Sequence, residues 1–277
     1  LMSSASFIEV FGYGFLAVLP KILVSYIVGL GIEFIIAQLK NEEIQEGFLV
    51  SGMLIPMIVP VNCPLWILAV ATAFAVIFAK EVFGGTGMNV FNVALIARAF
   101  LFFAYPTQMS GDTVWVATES IFGLGADLPD GFTAATALGQ AATVGVPAFD
   151  MNMVWGFIPG SIGETSVVAI LLGAILLLWS GVASWKTMLS VFVGGAVMGL
   201  IFNVCGPEGN FMAQMPWYQH LVLGGFCFGA VFMATDPVTS ARTETGKFIF
   251  GFLVGAMAVI IRVLNPGYPE GMMLAIL

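Results

Sequence analysis

Apolar runs of membrane-spanning length follow one another along almost the whole chain, and nothing else in the sequence constrains the fold so strongly. A helix needs roughly 20 apolar residues to cross the hydrocarbon of a bilayer. Runs near that length predict helices over 7–19, 21–39, 47–59, 65–83, 90–105, 166–183, 187–204, 218–234 and 247–264, with one more starting near 270. The runs are continuously apolar, without the alternation that a membrane β-barrel requires. Pro20, Pro56 and Pro60 are expected to end or kink their helices, because proline removes an amide donor. The expected fold class is all-α, a polytopic membrane helix bundle of about 9–10 transmembrane segments.

Composition excludes the main alternative. Hydrophobic residues make up 60% of the chain and charged residues 9%, against roughly 45–50% and about 25% in soluble domains. Too few charges are present to coat a soluble fold. A net charge of −8 argues against nucleic acid as a partner, since such surfaces are basic. Cys63, Cys205 and Cys227 are scattered without metal-ligand spacing, and His220 is the single histidine. Neither a zinc nor a haem site is expected from this chain alone. The sequence opens Leu1-Met2-Ser3-Ser4 without a charged leader and closes on the short apolar run Met272 to Leu277. On that basis it reads as part of a longer protein.

One segment breaks the apolar pattern. From Tyr105 to Thr165 the chain is rich in Gly, Thr and Pro and carries Asp112, Glu119, Asp127, Asp130, Asp150 and Glu164. No Lys or Arg occurs between Arg98 and Lys186. Basic residues favour the cytoplasmic side, so this loop is expected on the extracytoplasmic side. The chain thus divides into a first helix bundle (1–104), a loop region (105–165) and a second bundle (166–277). The stretch from Gly47 to Met53 can be laid on Gly225 to Val231, each followed by a further apolar helix and a Gly-rich turn. Repeated halves, inverted or parallel, commonly place transporter sites at their interface.

Charged and polar groups inside apolar spans mark candidate sites. Glu33 lies in Ile32-Glu33-Phe34-Ile35, and Asp236 ends a helix in Thr235-Asp236-Pro237-Val238-Thr239. Carboxylate, hydroxyl and proline-freed carbonyl oxygens suit a hard monovalent cation or a polar ligand, and they equally suit a helix cap. Gly84-Gly85-Thr86-Gly87-Met88 leads into a predicted helix that carries Asn89 and Asn92 three apart, which would put two amides on one face. Such a pair can read the polar edge of a flat heterocycle. Arg98, two turns on, must find a carboxylate, carbonyl or phosphate, or reach water. No dinucleotide fingerprint is present, because the Gly-rich turn follows an apolar helix and not a strand.

Lys80 through Asn92, Arg98 through Pro106, Gly160 through Ser166, Met215-Pro216-Trp217-Tyr218, Met233 through Pro237 and Asn265 through Met273 occur in order across the chain. In these motifs the sequence closely resembles the B-subunit family of Na+-translocating NADH:quinone oxidoreductases (Nqr), one of the Nqr/Rnf membrane flavoproteins. The resemblance implies FMN joined through a phosphoester to a loop threonine. The matching stretch is Asp130-Gly131-Phe132-Thr133-Ala134-Ala135-Thr136, with Thr136 as acceptor and Asp130 and Thr133 as its recognition frame. Ala134 stands where the family has Gly. The resemblance further implies a non-covalent riboflavin contacting Asn89 and Asn92, sodium handling at Asp236 and Glu33, and a quinone-reactive region at Gly29 and Leu30. Leu30 replaces a second glycine of the family. Implied partners are the other Nqr subunits, quinone, Na+ and the lipid bilayer. The implied location is a bacterial cell inner membrane, with the attachment loop on the periplasmic side. Two other readings stand beside it: an Rnf-type ferredoxin:NAD oxidoreductase subunit, and a redox-silent solute or ion transporter.

Overall fold

A computed structural model describes residues 7–41, 43, 47–111, 114–117, 135–207, 209–265 and 267–277. Fourteen α-helices occur among them, and no strand. They are α1 (Phe7–Lys40), α2 (Phe48–Met57), α3 (Leu65–Ala75), α4 (Val93–Ala104), α5 (Pro106–Met109), α6 (Ala137–Thr143) and α7 (Asn152–Trp155), then α8 (Val167–Trp179), α9 (Trp185–Cys205), α10 (Phe211–Gln214), α11 (Trp217–Val222), α12 (Phe226–Phe228), α13 (Glu244–Leu264) and α14 (Met272–Ile276). Among the described residues, four helical stretches are long and apolar enough to cross a membrane: Ile8–Lys40, Leu65–Phe83, Trp185–Cys205 and Glu244–Leu264. α2, α4 and α8 are shorter apolar helices. The chain is a multi-pass membrane helix bundle.

Two expected boundaries are corrected. The predicted helices 7–19 and 21–39 are one continuous helix through Pro20, because helices in lipid tolerate an internal proline when the rest of their backbone remains satisfied. The predicted helix 218–234 is broken. α11 stops at Val222, Gly224 adopts φ +64°, and α12 continues as a π-helical turn over Gly229–Met233. A second π-helical turn, Val76–Lys80, extends α3.

The two halves correspond, and in opposite orientations. α1 and α3 run parallel, with Glu33 bonded to Lys80 and Lys40 to Glu81 (3.3 Å) near their C-terminal ends. α9 and α13 also run parallel, with Lys186 bonded to Glu244 at their N-terminal ends. Phe48 opens α2 and fills the space beside Gly29 of α1, while Phe226 opens α12 and fills the space beside Gly195 of α9. Lys80 lies 5.9 Å from the Phe48 ring centroid and Arg262 5.6 Å from that of Phe226. Asn92 at the start of α4 bonds Asp236, whereas Arg98 further along α4 bonds Glu270, just beyond the C-terminal end of α13. The C-terminal ends of α1 and α3 therefore lie opposite those of α9 and α13. One end of the bundle gathers Lys40, Lys80, Lys186, Arg242 and Lys247; the other receives the described part of the 105–165 region.

Candidate functional site

The site is built where α4, α13 and the helix break meet. Arg98 sits about 9 Å along α4 from Asn92, at 1.5 Å per residue, and is 3% exposed. Its Nη1 donates to Glu164 Oε1 and its Nη2 to Glu270 Oε2. A guanidinium can hold two carboxylates at once because its donors form a rigid planar fork. Glu164 comes from the end of the loop region and Glu270 from the turn before α14, so one arginine ties three distant parts of the chain together. Burial pushes the Glu164 carboxyl up to about 8, with neighbouring Glu270 adding to the rise and Arg98 opposing it. Burial and the charge of Glu270 likewise push the Tyr268 phenol up.

Gly224 and Gly225 make room for this cluster. A Cβ on Gly225 would lie 2.7 Å from Glu270 Oε1 and 2.9 Å from Glu164 Cδ. The break also frees carbonyls, and Arg262 satisfies them: its Nη1 donates to His220 O (2.5 Å), Nη2 to Leu223 O (2.9 Å) and Nε to Glu270 O (2.7 Å). Non-helical backbone at membrane depth needs such internal partners.

Above the cluster lies a cavity of about 170 Å³, whose walls include Phe102, Leu138, Ser161, Leu223, Tyr268 and Glu270. Thr136 is on the same wall as α6. It caps that helix, its Oγ1 accepting from Gly139 N at 3.0 Å. Small residues explain the placement, since Ala135 precedes it and a longer side chain at Gly139 would press on the Thr136 hydroxyl. α6 is anchored from below, Leu138 and Ala141 packing with Met212, Val259 and Val263. Asp130 and Thr133 lie outside the described residues.

At the opposite end, Asn92 caps α4: its Oδ1 accepts from Ala94 N (3.0 Å) and Leu95 N (3.3 Å), and its Nδ2 donates to Asp236 Oδ2 (2.9 Å). Thr239 Oγ1 also donates to Asp236 Oδ2 (3.0 Å), and Val238 N to Oδ1 (3.1 Å). The expectation that Asn89 and Asn92 share a helical face is corrected, because α4 begins at Val93. Asn89 lies in the preceding turn and donates to Phe91 O (3.1 Å). Asparagine is a preferred N-cap, since its oxygen satisfies amides that the first turn leaves free. Glu33 is 5% exposed and paired with Lys80 rather than reaching the interface. Gly29, one turn before it, touches Phe48, and Leu30 packs against the first core. Glu33, Gly29 and Leu30 thus share one neighbourhood, and Asn92 and Asp236 share another. Glu164, Glu270 and Ser161 were not singled out from the sequence. The readable signal was Arg98, which had to find a carboxylate, carbonyl or phosphate, or reach water.

The chain is similar in sequence to known proteins along its length. The model of the "NQR2, RnfD, RnfE family" matches residues 1–277. The B subunit of the Na+-translocating NADH-quinone reductase of Chromohalobacter salexigens is 52% identical over 264 residues, covering 94% of this chain and 62% of the relative. The corresponding protein of Pseudoalteromonas atlantica is 47% identical, covering all of this chain and 67% of the relative, and that of Klebsiella pneumoniae 46%, covering 99% and 66%. The chain therefore spans about two thirds of the length of these curated relatives. By its match along every residue, it belongs to the NQR2, RnfD, RnfE family.

Proposed function

We propose that this chain is the membrane-embedded B subunit of a Na+-translocating NADH:quinone oxidoreductase, in which Thr136 carries FMN by a phosphoester and electrons pass on toward quinone. The relatives' names support the complex. The observation that supports the flavin is the placement of Thr136 on a cavity whose wall holds a buried hydroxyl, Ser161 Oγ, with no hydrogen-bond partner among the described residues. Buried polar atoms are nearly always hydrogen-bonded, so a polar ligand fits there. Bound FMN would supply electron transfer; the chain's residues bind it, orient it and keep water away.

Riboflavin at Asn89 and Asn92 is also part of this reading. Asn92 already spends its oxygen on the α4 cap and one N–H on Asp236, and Asn89 spends one N–H on Phe91 O, which leaves the second N–H of each and the Asn89 side-chain oxygen for a ligand. Asp236 and Glu33 are the proposed sodium-handling acids, and Gly29 and Leu30 border the proposed quinone region. The other subunits of the complex, quinone, Na+ and the bilayer are the proposed partners. The basic end of the bundle supports a cytoplasmic orientation for that end, and the proposed location of the Thr136 end is the periplasmic side of a bacterial inner membrane.

Denaturing electrophoresis tests the attachment. Protein produced with its flavin-attaching enzyme is expected to keep flavin fluorescence in the gel, and Thr136→Ala to lose it. Absence of fluorescence in the parent protein would favour a redox-silent transporter, a reading that the inverted repeat and broken helix also suit. The family includes Rnf proteins, and co-purified partners decide between the complexes: quinone reduction supports Nqr, ferredoxin linkage supports Rnf.

A further inference from the structure

We propose that Lys80 is a tethered competitor for sodium at Glu33: its ammonium holds the carboxylate when Na+ is absent, and Na+ binds there by displacing it onto the face of Phe48. This deepens the reading of Glu33 as a sodium-handling acid and rests on it.

Four charges meet near the C-terminal ends of α1 and α3, in two layers. Lys40 and Glu81 form the outer pair at 3.3 Å, with the Lys40 side chain 36% exposed. Glu33 and Lys80 form the inner pair, their side chains only 6% and 5% exposed, with Lys80 Nζ donating to Glu33 Oε1. Among the described residues neither of these two has another ionic partner. The inner pair is therefore neutral as it stands. Adding Na+ to Glu33 while Lys80 stays in place would leave an uncompensated cation out of water, which is strongly unfavourable. Sodium can join Glu33 only as Lys80 leaves it.

A place for the displaced ammonium is already built. Lys80 Nζ lies 5.9 Å from the centre of the Phe48 ring, within the range where an aromatic face attracts a cation. That ring is buried and fills the space beside Gly29, so it is a fixed surface. Lys80 also closes the π-helical turn Val76–Lys80, and a 3-10 turn follows directly over Glu81–Phe83. Such π turns recur at functional sites. An ammonium is a compact point charge on a flexible stem, so a carboxylate can exchange it for another small cation. When Na+ departs, the lysine returns and no bare carboxylate is stranded in the bundle. A permanently linked competitor weakens the apparent affinity for Na+ by the fraction of Glu33 that is free to bind.

The test uses the assembled complex, with Tm and NADH:quinone activity followed against NaCl while choline chloride holds the ionic strength constant. Lys80→Met should be least stable without Na+, and it should reach half of its Na+-dependent rise in Tm at about tenfold less Na+ than the parent, the strength of one charged hydrogen bond. Lys80→Arg should need more Na+ than the parent, because a guanidinium fork grips a carboxylate more firmly. The half-saturating Na+ for activity should move the same way in each variant, separately from kcat. A lysine with a structural role alone would lower Tm without moving either midpoint. Unchanged Na+ midpoints in Lys80→Met would overturn the proposal, and if that variant does not assemble, an unchanged midpoint in Lys80→Arg does so. Glu33→Gln separates the underlying reading. An unaltered Na+ response there removes Glu33 from sodium handling and takes the competitor with it, whereas an altered response beside an unmoved Lys80→Met overturns the competitor alone.

Discussion

Lys80 and Arg262 occupy matching places in the two inverted halves, each near the end of its helix and beside the phenylalanine that opens the facing short helix. Their partners differ. Lys80 is neutralised by a carboxylate, Glu33 on α1. Arg262 is held by three backbone carbonyls from the helix break and the turn before α14. The position on α9 that corresponds to Glu33, four residues beyond Gly195, is Gly199, and it packs against Trp217. The second half has thus exchanged an acid for the extra segment α11 and its break. A carboxylate can change charge or exchange one cation for another, whereas carbonyls cannot titrate. The first half keeps an adjustable ion pair, and the second builds a fixed scaffold around the cavity.

The halves also differ in how closely their helices approach. In the second half α9 and α13 pack backbone to backbone, with Gly255 against the Val191 carbonyl and Gly251 within 2.7 Å of the Thr187 carbonyl from an added Cβ. Small residues allow such contact between membrane helices. In the first half Gly14 and Gly31 of α1 have open space where a Cβ would stand. Gly255→Leu should therefore produce the largest loss of all. It forces a side chain into a carbonyl that cannot move, at about 3 kcal/mol or more, read as lost monodisperse protein and a lowered Tm. Gly31→Ala should leave both unchanged. Equal tolerance of the two changes would show that the halves pack alike.

Breaking the buried cations sharpens the contrast in charge. Lys80→Met alone should cost about 3–5 kcal/mol by stranding Glu33, and adding Glu33→Gln should recover much of it. Arg262→Lys should be poorly tolerated despite keeping the charge, because one ammonium cannot reproduce a three-donor fork. A fully functional Arg262→Lys protein would show that the carbonyls do not need that fork. Thermal unfolding of the single and double variants in detergent measures both.

The last comparison concerns Glu164. Its folded carboxyl holds a proton to higher pH than in the unfolded chain, so the folded state binds more protons across that interval. Stability is then greatest below the ordinary carboxylate range and declines as pH rises through it toward about 8. Glu164→Gln should flatten that decline in Tm measured between about pH 5 and 8. An unchanged slope would place the titration elsewhere.

Much of this architecture was legible in the sequence. α9 and α13 were bounded within a few residues because their apolar runs are long and polar at both ends. The likeness of Gly47–Met53 to Gly225–Val231 pointed to the repeat, though hydropathy carries no direction and could not show its inversion. The break at Leu223-Gly224-Gly225 was hidden, since these residues are as apolar as a continuous helix and only the backbone at Gly224 reveals the turn. Arg262 could not be interpreted for a related reason: its partners are carbonyls, which every residue possesses. Asn92 was misplaced on a helical face because a capping asparagine and a first-turn asparagine look alike until the first helical residue is known.

Mass spectrometry of the native peptide containing Thr136, taken from fully assembled complex, tests the attachment most directly. The peptide is expected to carry the mass of FMN joined through its phosphate to the Thr136 side chain. An unmodified Thr136 in such material would contradict it.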